Sequence, residues 1–261
     1  MPGEDLRPEL LAPFLARPER SGVFTDFDGT LAPIVDDPAA ARPLPAAIGA
    51  LRRLEARFAR VGVISGRPVD VLAEVMGGHG IGDHLYLSGL YGLEVLDGGA
   101  RRDHPSAAVW RAAVADTVER AGRELPRGVL VEPKGLSMTL HFRTVPEMAD
   151  EVRRWAAAEA ARSGLDVRPA RQSVELHPPV EADKGTALLA AAGDLEAVCF
   201  LGDDVGDIPA FAALEHLGRA GTHVLRVGVD SEEAPPGLAG LVDILVDGPA
   251  GAVGVLERLA L

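Results

Sequence analysis

VFTDFDGT, residues 23–30, is the stretch that decides the fold, because an apolar run leads directly into two aspartates, Asp26 and Asp28. Each carboxylate would cost several kcal/mol if it were buried without a partner. The two side chains therefore need a cation, a helix N-terminus or water beside them. A purely structural turn and a functional site both remain open until the ends of the other strands are considered.

The composition of the whole chain is that of a folded protein with more acidic than basic residues. The length of 261 residues is enough for one large domain or two smaller ones. Of these residues, 47% are hydrophobic and 25% are charged, as in an ordinary globular protein. The net charge of −13 argues against nucleic acid as a partner. Cys199 is the single cysteine, so an internal disulfide and a cysteine zinc cluster are excluded.

The N-terminal segment, residues 1–22, does not resemble a targeting signal. It is acidic, and its short apolar stretch is broken by Pro13. No other run approaches the ~18 apolar residues of a membrane span. We therefore expect a cytoplasmic monomer that binds neither nucleic acid nor membrane and has a small molecule as its partner.

Two separated parts of the chain share one pattern, in which short apolar runs alternate with helical stripes. Strands buried on both faces, as in a parallel sheet covered by helices, give this pattern. Asp183 is placed to cap a helix that runs through Ala192. The fold class predicted is α/β, with a Rossmann-like parallel-sheet core whose strand-length runs are residues 23–25, 61–64, 198–201, 224–227 and 244–246.

The middle of the chain follows a different pattern. Residues 136–143, LSMTLHFR, alternate strictly between apolar and polar side chains, as an antiparallel strand with one polar face requires. Helical stripes and a second hairpin complete the order helix, hairpin, helix, hairpin. We predict an inserted αββαββ cap domain over 102–180, with the α/β core at 1–101 and 181–261. Two segments, DGGARRDHP (97–105) and the glycine-rich GGHGIGD (77–83), are predicted to be loops.

Each of three predicted core strands ends in charged or polar residues. Ligands of open α/β sheets bind beyond the carboxyl ends of the strands, so these ends should share one crevice. At ~4 Å and an effective dielectric of ~20, each pair of like charges costs about 4 kcal/mol. A crevice with several carboxylates needs a counter-ion, and the oxygen ligands favour Mg²⁺ as the cofactor. The charged and polar residues at the three strand ends are Asp26, Asp28, Ser65, Arg67, Asp203, Asp204 and Asp207.

The same crevice contains residues suited to an anionic phosphate. Ser65 offers a hydroxyl, Arg67 a forked donor, and Lys184 an ammonium at the start of a helix. A phosphoryl transfer that uses every group has Asp26 attack phosphorus, while Asp28 protonates the leaving oxygen and then activates water. Arg67 has an alternative role, in which it pairs structurally with a core carboxylate.

Four motifs carry a resemblance to a known superfamily. DFDGT, ISGR, DKG and GDDVGD, in this order, resemble the motifs of the haloacid dehalogenase superfamily of phosphohydrolases, and the insertion resembles the cap of its sugar phosphatases. From about Val23 to the C-terminal helix, the chain is similar to the trehalose-6-phosphate phosphatase family. The segments that carry this similarity are residues 26–45, 89–94, 132–143 and 174–185.

The resemblance implies a role for each matching residue. Asp26 would be the nucleophile and Asp28 the acid and base, with Mg²⁺ on Asp26, the Asp28 carbonyl and Asp203. Asp204 and Asp207 would support the ion indirectly or through water. Ser65, Arg67 and Lys184 would bind phosphate. The implied sugar-binding residues of the cap are Glu132, Lys134, His141, Arg143 and Glu175.

The chain departs from the family pattern at three positions. Gly206 and Ile208 replace Thr and Glu of the last motif, and Tyr91 replaces His of GLHG. The expected reaction is a Mg²⁺-dependent hydrolysis of trehalose 6-phosphate, with cap hinges at 98–104 and 178–183. A phosphatase of another phosphorylated disaccharide or glycosyl compound is one alternative, and a non-catalytic sugar-phosphate sensor is the other.

Overall fold

The computed structural model describes residues 7–35, 37–77, 84–169, 172–231 and 233–261. Within them, the helices are α1 Pro8–Ala16, α2 Pro45–Glu55, α3 Val69–Gly77, α4 Pro105–Ala108, α5 Arg111–Glu124, α6 Ala149–Ser163, α7 Lys184–Ala192, α8 Ile208–Arg219 and α9 Gly248–Leu259. The strands are β1 Ser21–Thr25, β2 Arg60–Ile64, β3 Tyr86–Gly89, β4 Glu94–Asp97, β5 Ala100–Asp103, β6 Leu130–Pro133, β7 Met138–His141, β8 Asp166–Pro169, β9 Ser173–His177, β10 Ala197–Gly202, β11 His223–Asp230 and β12 Ile244–Asp247.

The larger sheet has eight strands in the order β12-β11-β10-β1-β2-β3-β4-β5. The six strands from β12 to β3 pair in parallel, and β4 joins β3 antiparallel. Successive β1 residues Val23 and Phe24 belong to different apolar clusters, because neighbouring strand residues point to opposite faces. Helices α2 and α9 pack on one face, and α7 and α8 on the other, which confirms the predicted Rossmann-like core.

The register of the central strands brings their carboxyl ends together. Strand β1 lies between β10 and β2, with Thr25 opposite both Leu201 and Val63. All five residues of β1 are buried, so the chain has no solvent contact until it leaves the sheet. The segments that follow β1, β2 and β10 therefore begin at the same edge, as the sequence predicts.

The segment 97–105 is not wholly a loop, which corrects the sequence-based expectation. Residues Ala100–Asp103 form β5, at the edge of the sheet. The turn from β4 uses Gly98 and Gly99, both with positive φ (55° and 74°), as a two-residue hairpin turn requires. The short polar strand carries no apolar pattern to reveal it. Of the glycine-rich stretch 77–83, residues 78–83 lie outside the described residues.

The chain forms two compact units. One contains the residues up to Arg102 together with Ala182–Leu261, and the other is Asp103–Glu181. The second unit has the predicted αββαββ order, with the short α4 before α5, and a four-stranded antiparallel sheet in the order β6-β7-β9-β8. Its own apolar cluster includes Val114, Leu140 and Val152. In the described ranges, no helix is both long enough and apolar enough to span a membrane.

Candidate functional site

Asp26 lies at the exit of β1 and is 3% exposed. Its backbone N–H donates to the carbonyl of Leu201 on β10, at 2.8 Å, which continues the parallel ladder by one residue. Its carboxylate oxygen Oδ1 accepts a hydrogen bond from Lys184 Nζ at 2.6 Å. The carboxylate is therefore buried with a cation, and the solvated turn considered from the sequence is not what the structure contains.

Lys184 is the first residue of α7, and its position depends on a capping box. Asp183 accepts a hydrogen bond from the Thr186 N–H at 2.7 Å, and the Thr186 hydroxyl bonds back to the Asp183 N–H, at 3.0 Å. This confirms the prediction that Asp183 caps the N-terminus of the helix. The Lys184 ammonium, 3% exposed, also donates to Asp207 Oδ1 at 2.7 Å, so it joins two carboxylates.

Asp207 organises the loop after β10. Its Oδ2 accepts the N–H groups of Asp203 at 2.8 Å and of Asp204 at 3.1 Å. A Cβ on Gly202 would lie 2.4 Å from the Asp207 Cγ, so this position has room only for glycine. Asp207 thus uses both oxygens inside the protein, one for Lys184 and one for the turning backbone.

Asp203 is held by two hydroxyl groups. Thr30 Oγ1 donates to Oδ1 at 3.1 Å, and Ser231 Oγ donates to Oδ2 at 2.6 Å. Gly29, with φ of +76°, passes beside the same carboxylate. Sequence reasoning missed Ser231, although it follows β11, and the rule applied to the other parallel strands would have found it.

The donor set fits a hard divalent cation. One oxygen from each of Asp26, Asp203 and Asp207 lies within 4.8 Å of the others, in a buried group found within the described ranges. Asp204 Oδ1 is also buried and has no hydrogen-bond partner there, although Lys184 Nζ is 3.9 Å away. Carboxylate oxygens of Asp26, Asp207 and Asp204 thus lie 2.6, 2.7 and 3.9 Å from one ammonium, with Asp203 in the same group, and oxygen ligands of this kind suit Mg²⁺.

Burial and the neighbouring charges together shift the pKa values of the cluster. Burial raises the pKa of Asp26 well above its ordinary value, although Lys184 acts to lower it. Burial likewise raises the pKa of Asp203 to about 6 and that of Asp207 to about 7. Burial alone would lower the pKa of Lys184, but Asp207 and Asp26 raise it well above its ordinary value, so Lys184 stays charged.

Asp28 lies outside this acidic cluster. Its two oxygens accept hydrogen bonds from Arg67, Oδ2 from Nε at 2.6 Å and Oδ1 from Nη2 at 2.7 Å. Of the two roles open to Arg67 from the sequence, the observed contact is the pairing with a carboxylate. Asp28 and Arg67 therefore form a second ion pair on the same edge of the sheet.

Ser65 directly follows β2 and begins a loop that is held by hydrogen bonds. It is 2% exposed, and its Oγ accepts the N–H of Arg67 at 3.2 Å. Its carbonyl accepts the N–H of Tyr91 at 3.0 Å, and Tyr91 has a left-handed backbone, with φ of 59°. A Cβ on Gly66 would lie 2.7 Å from the Tyr91 hydroxyl oxygen, so the ring lies against this loop.

The polar residues of the insert form a row across its sheet. Glu132, Thr139 and Glu175 are paired in register on neighbouring strands β6, β7 and β9, so they share one face. His141 Nε2 lies 2.7 Å from Glu132 Oε2, and Lys134 Nζ lies 3.8 Å from the same oxygen. The predicted polar face is present, although not all of it is exposed to solvent.

Two hydroxyl groups of the insert are buried where the sequence predicted a wet face. Ser137 and Thr139 are 0% and 4% exposed, and neither hydroxyl has a hydrogen-bond partner among the described residues. Buried polar groups usually have hydrogen-bond partners, so these two hydroxyls depart from the usual pattern. Arg143 lies two residues beyond β7 and is half-buried.

Comparison with known proteins connects the chain to one family. A family model described as trehalose-phosphatase matches residues 24–236. The trehalose-phosphate phosphatase of Mycobacterium avium is 35% identical over 251 residues, covering 91% of this chain and 61% of that protein. The chain thus spans about three fifths of the length of the curated relatives it matches.

Two solved structures have the same fold. A trehalose-6-phosphate phosphatase related protein superposes with a TM-score of 0.78 at 18% identity, covering 92% of this chain and 96% of that one. A haloacid dehalogenase-like hydrolase from Bacteroides thetaiotaomicron gives 0.60 at 14% identity, with 92% and 99% covered. At these identities the likeness concerns the fold alone.

Proposed function

Since the chain belongs to the trehalose-phosphatase family, we propose that it hydrolyses trehalose 6-phosphate to trehalose and phosphate. The observation that carries this proposal is the buried contact of Lys184 with Asp26, at 2.6 Å, beside Asp203 and Asp207. Together these groups supply a carboxylate for nucleophilic attack, an ammonium group and a set of oxygen ligands at one edge of the sheet.

The proposed reaction has two steps. An oxygen of Asp26 attacks phosphorus and forms an aspartyl-phosphate, while Asp28 gives a proton to the leaving sugar oxygen. Asp28 then takes a proton from water as that water attacks the intermediate. Lys184 neutralises part of the charge that develops on the transferred group.

The residues that would hold the cation are Asp26, Asp203 and the Asp28 carbonyl. Asp207 supports them by fixing Lys184 and the backbone of Asp203. When bound, Mg²⁺ would supply positive charge next to the phosphoryl oxygens. Asp204, whose Oδ1 is buried without a hydrogen-bond partner in the described ranges, would support the ion indirectly.

Phosphate binding is proposed for Ser65 and Lys184. Ser65 directly follows β2, which pairs in register with β1, the strand that precedes Asp26. Its acceptor side is used by the Arg67 N–H, which leaves the hydroxyl proton to donate to a phosphate oxygen. Arg67 is a different case because its guanidinium is already engaged by Asp28.

Recognition of the sugar is proposed for the insert, 102–180, acting as a cap with hinges at 98–104 and 178–183. Carboxylates and an ammonium on one sheet face suit a ligand rich in hydroxyl groups. The buried hydroxyls of Ser137 and Thr139 add donors and acceptors to this face. The sugar-binding residues proposed are Glu132, Lys134, His141, Arg143 and Glu175.

A panel of sugar phosphates tests the proposal. Phosphate release is measured with Mg²⁺ and with EDTA, for the native chain and for Asp26→Asn. We expect activity that requires Mg²⁺, prefers trehalose 6-phosphate and is lost in Asp26→Asn. Preference for another glycosyl phosphate would refute the substrate, and no turnover of any member would favour a sensor.

The setting of the reaction is part of the same proposal. We propose a cytoplasmic monomer without nucleic acid or membrane partners. The net charge of −13 disfavours binding to anionic polymers and surfaces. Sedimentation of the purified chain at assay concentration measures its mass directly. A dimer mass would contradict the monomer and leave the chemistry untouched.

A further inference from the structure

Arg67 grips both oxygens of the Asp28 carboxylate. Its Nε donates to Oδ2 at 2.6 Å and its Nη2 donates to Oδ1 at 2.7 Å. Two parallel bonds from a planar guanidinium fix a carboxylate both in distance and in plane, which an ammonium does not. The orientation of the Asp28 side chain is therefore set by Arg67.

Arg67 is itself held by contacts that have no bearing on a phosphate. Its Nη2 also donates to the Pro38 carbonyl at 2.7 Å, and its guanidinium carbon lies 5.0 Å from the centre of the Phe27 ring. The Arg67 side chain is 11% exposed, whereas that of Asp28 is 43% exposed. Arg67 is thus the fixed member of the pair, and Asp28 presents one side outward.

We propose that Arg67 is a positioning residue for proton transfer. It acts on the reaction through Asp28, by holding that carboxyl where it reaches the leaving oxygen, and does not bind the phosphoryl group. This inference deepens the proposed function and rests on it. Lys184 and Ser65 are then the phosphate ligands, and Arg67 is separate from them.

In the proposed mechanism, Arg67 influences only the proton transfers that Asp28 makes. In the first step the new bond joins an Asp26 oxygen to phosphorus, and the bond from phosphorus to the sugar oxygen breaks with its electron pair on that oxygen. The Asp28 proton goes to this oxygen. In the second step the water oxygen bonds to phosphorus, its proton goes to Asp28, and the bond to Asp26 breaks, which restores both aspartates.

The need for the Asp28 proton depends on the leaving group. A sugar alkoxide is a strong base and leaves with a proton, whereas p-nitrophenolate is a weak base and leaves without one. General acid catalysis contributes typically about 10²–10⁴-fold to a rate. An arginine that only orients Asp28 should therefore matter for alkyl phosphates and matter little for p-nitrophenyl phosphate.

The test compares kcat/KM for both substrates in Arg67→Gln. This ratio includes the steps up to the departure of the leaving group, so hydrolysis of the aspartyl-phosphate does not enter. We expect kcat/KM to fall about 100-fold for trehalose 6-phosphate and less than about fivefold for p-nitrophenyl phosphate. The inhibition constant of inorganic phosphate should stay within about threefold, because its ligands are intact.

The opposite pattern identifies a phosphate ligand. If the loss for the alkyl substrate is less than about ten times the loss for the aryl substrate, or if the phosphate inhibition constant rises about tenfold, the inference is wrong. Arg67→Lys keeps the charge but loses the fork, so it should give the same split in weaker form. It also provides the measurement if Arg67→Gln does not fold.

Arg42→Gln is the matched control. Arg42 donates to the carbonyls of Ala39 and Ala41, so it ties the same loop as Arg67 through the backbone and not through Asp28. Its loss should change both substrates alike. If the native chain hydrolyses another alkyl phosphate in place of trehalose 6-phosphate, the substrate proposal fails, and the comparison is made with that compound.

Discussion

Replacing Gly29 by alanine should remove the cation site by moving a single carboxylate. Gly29 has φ of +76°, and a Cβ built on it would lie 2.0 Å from Asp203 Oδ2. Real Cβ atoms essentially never approach closer than 3.0 Å, so the Asp203 carboxylate must shift by about 1 Å. Mg²⁺ binds oxygen at ~2.0–2.1 Å with little tolerance, so this shift is enough to disrupt binding.

The same substitution has a second, unrelated cost. An alanine in the left-handed region costs roughly 1–2 kcal/mol whatever its surroundings. Gly237→Ala is the matched control for this cost, because Gly237 has φ of +88° and a Cβ built there would meet no atom of the described residues within 4 Å. Both variants should lose roughly 2–8 °C in Tm without metal, at ~2–4 °C per kcal/mol.

The assay is thermal unfolding with and without Mg²⁺, which needs no substrate. At about 100 times its dissociation constant, the ion should stabilise the native chain by ~2.7 kcal/mol. Gly237→Ala should retain this increase in Tm, and Gly29→Ala should lose it. If Mg²⁺ raises the Tm of Gly29→Ala as much as that of the native chain, the reasoning is refuted. Asp203 would then either move without loss of ion binding or not bind the ion at all.

Three further predictions concern charge. Lys184→Met should lower the unfolding free energy of the metal-free chain by about 3–5 kcal/mol at pH 7.5, and by less at pH 5, in denaturant melts. Raised pKa values of about 6 for Asp203 and about 7 for Asp207 stabilise the metal-free fold at low pH, and this contribution is lost as pH rises through 6–7. The gain in Tm on adding Mg²⁺ should therefore grow from pH 5 to 8, and a flat profile would contradict these assignments. Glu159→Gln, in a buried network with two arginines, should cost about 1–3 kcal/mol, and the exposed Glu119→Gln under about 0.5 kcal/mol, by the same melts.

Much of the core could be predicted because its signals are local. Apolar runs of strand length identify buried parallel strands, and the residues that follow them meet at one edge of the sheet. Asp26, Ser65 and Asp203 were found in this way, whereas Lys184 was found as the first residue of a predicted helix. Strand β5 escaped notice because an exposed edge strand of polar residues has no hydrophobic pattern.

The sequence alone thus determined which residue types stand at the strand ends, and through the order of four motifs it determined the family. Tertiary structure decided which side chains pair. Arg67 could serve phosphate or carboxylate, and packing against the Phe27 ring and the Pro38 carbonyl directs it to Asp28. Ser231 donates a hydrogen bond to Asp203, 28 residues away in the sequence, and this pairing also depends on the fold. Such pairings depend on distances between chain segments and on the burial of charge, which only the folded chain fixes.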